Sequence, residues 1–338
     1  MADGHAGTLD GMPKKIRWGV LGVADIAVKK IIPAMQQGES CEIVAIASRD
    51  LAKARAAAQQ LGIPSAYGSY EELLADPNVD AIFNPLPNDL HVPWSIKAAR
   101  AGKHVLCEKP IAMNAEEVPA LIAARDATGV KMGEAFMVRT HPQWLRAREA
   151  IRSGQIGELR AVSMLFTYFN SDPANIRNLP SHGGGGLLDI GCYAITLSRF
   201  AFGEEPLRAI GLLDLDPEFQ TDRLASAILE FPSGQSVFLC STQIASYQRF
   251  HMLGTKGRID VEVPCNAPPD APTRISINNR VEEIAICNQY TVQGELFSRA
   301  ILEDGPVPVP LEDALQNMRV IDAIFRSAKS GHWETPGA

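Results

Sequence analysis

Apolar and polar positions alternate along the first half of the chain in a strand-then-helix rhythm. Apolar runs at 16–21, 42–47, 81–83, 103–107 and 130–133 predict strands. Helical spacing follows each in turn, up to about Gln37 and over 51–61, 70–75, 92–101 and 116–128. Strands and helices alternating at this interval predict a parallel, doubly wound sheet, and hence a first domain over 14–135. The run from Lys103 to Cys107 stops abruptly at Glu108-Lys109-Pro110. Ligands of such sheets bind beyond the carboxyl ends of the strands, which puts this charged pair at a functional edge. Pro110 disfavours the α conformation for Lys109. A solvated ion pair at a strand end is the plainer reading of the same residues.

The pattern changes from Phe136. An amphipathic helix is predicted over 141–153, then a strand over 159–169, then a glycine run at 183–186 that leads into a helix start at 187–195. Short strands follow at 209–213, 225–231, 236–242, 248–253, 258–263 and, in two parts, 274–286, with a hairpin turn at 232–235. They predict a large, mainly antiparallel, open-faced sheet in an α+β domain over 136–338, closed by helices at 293–303 and 311–329. Helices can cover one face of that sheet. The other, with Phe231 and Phe238, is expected to bury itself against a second copy, which favours a homo-oligomer, a dimer foremost.

Composition narrows the partners. The 338 residues are 46% hydrophobic with a net charge of −7. No basic cluster with interleaved aromatics occurs, so nucleic acid is not an expected partner. No apolar run reaches the roughly 18 residues that would span a membrane. Residues 1–13 read as a flexible polar extension, with Met12 a candidate start and no export signal, which points to the cytoplasm. Six scattered cysteines without a C-x-x-C pair read as free thiols rather than a metal site.

Candidate chemistry lies at the strand ends. The first strand runs into Gly22-Val23-Ala24-Asp25-Ile26-Ala27, a degraded G-x-G-x-x-G with alanine at the second and third glycine positions. A strand, a glycine turn and a helix form the context in which a pyrophosphate rests on helix N-terminal amides. After the second strand, Ser48 and Arg49 stand where an NAD-specific site would carry a carboxylate; a hydroxyl and a guanidinium suit the 2′-phosphate of NADP. Asp50 keeps NAD open, and Ser48 and Asp50 also read as helix caps. Pro85, Leu86, Asn88 and His91 belong to a third strand-end loop on the same edge. Asp189 and Tyr193 are four apart, on one helix face, although a carboxylate matched to the helix dipole and a core tyrosine would explain them too.

In this order, the degraded glycine turn, Glu108-Lys109-Pro110, Glu134-Ala135-Phe136-Met137, His141-Pro142-Gln143 and 183–193 resemble the glucose–fructose oxidoreductase/inositol dehydrogenase (Gfo/Idh/MocA) family of two-domain NAD(P)-dependent sugar and polyol oxidoreductases. The resemblance covers the chain from Lys14 onward. It is closest to the branch with aldose 1-dehydrogenases, 1,5-anhydrofructose reductase and dimeric dihydrodiol dehydrogenase. Tyr193 replaces the histidine of inositol dehydrogenases, which sets aside a plain inositol assignment.

The resemblance implies a Rossmann domain and an NADP(H)-dependent oxidation of an aldose at C1 to its lactone. It also suggests an aldose–aldose oxidoreductase that keeps its cofactor bound and reduces a second aldose to the alditol. A trans-dihydrodiol dehydrogenase or a 1,5-anhydrofructose-type reductase is the alternative enzyme, and an NADP-binding sensor without turnover the alternative of another class. Lys109, Asp189 and Tyr193 are the implied catalytic residues, with Lys109 lowering the pKa of Tyr193 toward phenolate. The implied cofactor contacts are Gly22, Val23, Ala24, Asp25, Ile26, Ser48, Arg49, Lys53, Pro85, Leu86, Asn88, His91, Glu108, Lys109 and Arg177. Substrate contacts are expected from Lys109, Arg177, Asp189, Tyr193, Phe169 and His182. No metal is implied.

Overall fold

Two sheets organise the computed structural model, which describes residues 15–337. The expected extension at 1–13 and the candidate start Met12 lie outside the described residues. The first sheet is built by β1 (Ile16–Leu21), α1 (Ile32–Met35), β2 (Cys41–Ala47), α2 (Leu51–Leu61), β3 (Ser65–Tyr67), α3 (Tyr70–Ala75), β4 (Ala81–Asn84), α4 (Asn88–Arg100), β5 (His104–Cys107), α5 (Val118–Thr128) and β6 (Met132–Glu134). Its strand order is β3-β2-β1-β4-β5-β6, all parallel, the doubly wound Rossmann order. β4 is buried along its whole length, as a strand covered on both faces must be.

Two differences from the pattern reading have local causes. β3 is only three residues long, too short to show a period. α4 begins at Asn88, not at Val92, and carries Pro93 inside it. Asn88 and Asp89 occupy its first turn, where polar and acidic side chains suit the helix dipole.

The second half contains α6 (Pro142–Arg152), β7 (Leu159–Phe169), α7 (Cys192–Phe202), β8 (Arg208–Leu215), β9 (Asp222–Glu230), β10 (Gln235–Ser241), β11 (Gln243–Gly254), β12 (Arg258–Val261), β13 (Thr273–Ile277) and β14 (Arg280–Ile284). Its eight strands run in the order β14-β13-β12-β11-β7-β10-β9-β8, antiparallel except where β10 meets β7. α8 (Gln289–Leu302) and α9 (Leu311–Ser330) close the chain. α8 returns to the first sheet: Ser298 accepts the Trp18 indole N–H at 3.0 Å, and Phe297 packs on Trp18. Among the described residues no helix is long and apolar enough to cross a membrane.

The placement of Phe231 and Phe238 on the open face is corrected. Both are buried within this chain, Phe231 stacked on Phe202 with ring centroids 4.4 Å apart. Strand alternation separates two sets of side chains, and these belong to the set under the helices. The open face instead presents Leu165, Leu212, Val237 and Leu253, with Leu212 73% exposed.

Candidate active site

The strand ends of the first sheet open onto a cavity of about 610 Å³, walled on its far side by the second sheet and the start of α7. Gly22 follows β1 with φ +83°, a left-handed conformation that glycine adopts without strain. A Cβ there would stand 3.0 Å from Leu86. The helix behind it opens through a π-helical stretch, Ala27–Ile31, and no side chain caps it. A tight glycine turn before an uncapped helix start fits a dinucleotide's pyrophosphate.

At the end of β2, the Asp50 carboxylate accepts from the Ala52 and Lys53 amides at 2.9 and 3.3 Å and so caps α2. Ser48 accepts from the Asp50 amide at 3.2 Å. Arg49 lies beside Tyr70, whose hydroxyl is 3.6 Å from where a Gly22 Cβ would be. Ser48, Arg49 and Lys53 therefore stand outside the cavity, toward the β2 side of the glycine turn. Val23 and Ala24 form that turn, and Asp25 is exposed and paired with Lys29 at 2.6 Å.

Ile26, Pro85, Leu86, Asn88, His91, Glu108 and Lys109 line the near wall. Lys109 precedes a cis peptide bond to Pro110. His91 is buried, with its two ring nitrogens 2.7 Å from the carbonyls of Leu86 and Pro110. Burial pushes its pKa down to about 4. Neutral, it donates its one N–H to one of these carbonyls, and both ring nitrogens face the protein rather than a ligand.

The far wall converges on Asp189. Lys109 Nζ donates to its backbone carbonyl at 2.7 Å and to its carboxylate at 3.3 Å. Arg177 Nε donates to the carboxylate at 3.0 Å, and the Tyr168 hydroxyl donates to the same carboxylate at 2.6 Å. Burial alone would raise the Asp189 pKa, but the Lys109 and Arg177 charges and the Tyr168 hydroxyl hold it well below the usual carboxylate range. Burial likewise opposes the charge on Lys109, yet Asp189 and Glu108 keep its pKa above the ordinary lysine value. Burial raises Glu108.

Asp189 sits in a π-helical turn, Leu187–Gly191, that runs into α7 and Tyr193. Lys109 Nζ is 5.0 Å from the centroid of the Tyr193 ring, and the hydroxyl contacts Met137 Sδ at 3.5 Å. Burial, then Tyr290 and Glu108, push the Tyr193 pKa well above its ordinary value. The expected phenolate is thus corrected: the ammonium faces the ring and bonds to Asp189, and Tyr193 is a neutral phenol.

Arg177 and His182 also line the cavity, His182 bonded to Asp89 at 2.8 Å. Phe169 does not. It is 66% exposed, because Phe166 and Tyr168, two apart on β7, take the cavity face and the next residue turns away. Sequence reasoning missed Met137, Gln248, Asn266 and Tyr290, all of which line the cavity. It also missed Asp222, whose buried carboxylate accepts the Leu187 amide at 2.6 Å. Phe166 and Tyr168, which the sequence offered as site-lining aromatics on one strand, do line the cavity.

A parallel sheet of Rossmann order, a glycine turn before a helix start, and a lysine, an aspartate and a tyrosine in one cavity are the features of a dinucleotide-dependent oxidoreductase. Residues 16–136 match the oxidoreductase family with an NAD-binding Rossmann fold, and 144–260 match the GFO/IDH/MocA C-terminal domain. The chain belongs to the GFO/IDH/MocA oxidoreductase family. It is 48% identical to an uncharacterized oxidoreductase of Rhizobium meliloti, over 95% of this chain and 99% of that one. It is 40% identical to D-xylose 1-dehydrogenase (NADP(+)) 2 of Haloferax volcanii, over 93% and 98%. The crystal structure of aldose-aldose oxidoreductase from Caulobacter crescentus, complexed with glycerol, superposes with a TM-score of 0.88 at 27% identity, over 95% of this chain and all of that one.

Proposed function

We propose that this chain is an NADP(H)-dependent sugar oxidoreductase that oxidises C1 of an aldose to the aldonolactone. The observation that carries the proposal is the convergence of Lys109, Arg177 and Tyr168 on Asp189, beside Tyr193 and the glycine turn. The similarity to an NADP(+)-dependent xylose dehydrogenase and to an aldose-aldose oxidoreductase supports it. Arg49 at the end of β2, with Asp50 committed to its helix cap, supports NADP over NAD.

When bound, the nicotinamide accepts the hydride from C1 or returns it. Lys109 Nζ, kept protonated, donates to the sugar oxygen where negative charge develops, a preorganised role. Asp189 fixes that ammonium through its own carbonyl and carboxylate. Tyr193, a neutral phenol, delivers a proton to the oxygen when a carbonyl is reduced. Oxidation runs the same step in reverse, so Tyr193 first releases its proton to solvent and then, as the phenolate, takes the hydroxyl proton. Arg177 holds Asp189 ionised and offers its remaining N–H groups to sugar hydroxyls. The exposed Leu165, Leu212, Val237 and Leu253 support a homodimer through the open sheet face.

The test is to denature the purified protein, measure the released nicotinamide nucleotide, and assay aldoses with and without added NADP. Turnover that needs added NADP, with aldonate formed, is the expected result for a simple dehydrogenase. One cofactor per chain, with aldonate and alditol formed together and no NADP added, identifies the aldose–aldose version. A protein that turns over no aldose under either condition defeats the proposal.

A further inference from the structure

We propose that Gln248 sets substrate choice, its side-chain amide nitrogen donating to one oxygen of the bound sugar; the inference rests on the sugar reading above. Gln248 lies in β11 opposite Phe166, and cross-strand partners share a face, so both look into the cavity. A bulge aims it. Between Gln243 and Tyr247, β11 advances four residues while β7 advances two, from Phe169 to Thr167. The Thr167 hydroxyl pins the bulge by donating to the Ala245 carbonyl at 2.6 Å. Bulges of this kind re-aim side chains beside active sites.

The orientation of the amide is forced. Its oxygen accepts the backbone N–H groups of Cys265 and Asn266 at 3.0 and 3.3 Å. Two donors can be met only by an acceptor, so the flipped amide is excluded. The nitrogen must then point away from the 265–266 backbone, and among the described residues it has no protein acceptor.

The segment that holds the oxygen is itself tied down. Gln143 donates to the Val263 carbonyl at 2.9 Å, the Trp144 indole to Pro264 at 2.8 Å, and Gln289 to Cys265 at 3.1 Å. The donor is therefore fixed before substrate arrives, which reduces the ordering cost of binding. A fixed, neutral N–H without a protein acceptor tells a hydroxyl or carbonyl oxygen from a hydrogen, because the deoxy analogue leaves it unpaired.

The experiment measures kcat/KM of wild type, Gln248→Leu and Gln248→Glu on D-glucose and its 2-, 3-, 4- and 6-deoxy analogues. Wild type should reject one analogue by about tenfold or more, the effect of one hydrogen bond. In Gln248→Leu that one ratio should fall toward unity, and in Gln248→Glu it should change because the carboxylate meets the oxygen only by accepting its hydroxyl proton, while the other ratios hold. Gln248→Glu keeps an oxygen for the Cys265 and Asn266 amides but turns the donor into an acceptor. A purely structural glutamine would leave its ratios at wild-type values. Unchanged ratios at every position in a folded Gln248→Glu overturn the inference and leave the sugar reading standing. A wild-type protein that turns over none of the sugars overturns the sugar reading itself, and this inference with it.

Discussion

Two glycine turns feed the cavity, and they differ in what meets the helix start behind them. Gly22 leads into the π-helical stretch Ala27–Ile31, and Gly183 and Gly185, also at positive φ, lead into the π-helical stretch Leu187–Gly191. The first helix start has no side-chain cap. The second is met by the Asp222 carboxylate from β9, which accepts the Leu187 amide at 2.6 Å. The first turn's amides have no side-chain acceptor among the described residues, whereas the Leu187 amide of the second is met by a carboxyl from the chain itself. The same glycine signal thus reports only that something comes close. At the first turn the proposed function makes that a ligand; at the second it is a strand, and the gain is a fixed position for Asp189.

The largest effect should come from removing the group that ties the second start to the first sheet. Lys109→Ala loses both bonds to Asp189 and the ammonium that the proposed function sets against the sugar oxygen. Steady-state kinetics should show kcat/KM lower by about 10³-fold. A folded variant within tenfold of wild type would remove Lys109 from the chemistry.

Substituting one glycine in each turn tests the comparison directly. In Gly185→Ala the new methyl group would fall on the Asp222 carboxylate, at φ +116°. A denaturant melt should show a loss of about 3 kcal/mol or more. Gly22→Ala meets Leu86 at 3.0 Å and the Tyr70 hydroxyl at 3.6 Å, the second an ordinary contact. Its stability loss should be about 1–2 kcal/mol, the left-handed backbone term, with weakened NADP binding. Equal stability losses, or a Gly185→Ala variant as stable as wild type, would erase the distinction between an open and a self-filled start.

The carboxyl at the second start can also be read by pH. Burial pushes the Asp222 pKa up to about 7, against the pull of the Leu187 and Gly186 amides. Unfolded, it titrates near 3.8. Between these values the folded chain holds a proton that the unfolded chain has released. The stability tied to this carboxyl is therefore present below about pH 4 and lost as pH rises through about 7. Asp222→Asn has no such proton. Wild type should lose about 2 kcal/mol relative to it between pH 5 and 7, then level off. A difference that is flat across that window, or grows in favour of wild type, would mean that Asp222 folds as an ordinary ionised cap.

The parallel sheet was legible because β1, β2, β4 and β5 are apolar runs bounded by turn residues, and Lys109 because a charge ends such a run at a sheet edge. Alternation along β10 separated two faces without saying which one the helices cover, and so Phe238 was assigned to the wrong one. Asp222 and Gln248 were not legible. One lies 35 residues from the amide it caps, and the other is aimed by a bulge whose register depends on β7. The Tyr193 pKa depends on burial and on where Lys109 points, neither of which is local in sequence.

The smallest effect concerns what completes the open start. If the chain leaves the amides after Gly22 for a dinucleotide, the choice between NADP and NAD falls to the next strand end. There Asp50 is spent on the α2 cap, and Arg49 stands beside Tyr70 close to the glycine turn. A guanidinium meeting a doubly charged 2′-phosphate makes charge-assisted bonds that a 2′-hydroxyl cannot return in kind. Arg49→Ala should therefore weaken NADP binding by about tenfold and leave NAD nearly unchanged, as measured by fluorescence titration of the reduced cofactors. Equal losses for both would place Arg49 on the shared part of the dinucleotide. No loss for either would leave Ser48 and Lys53, which share this end of β2, to make the distinction.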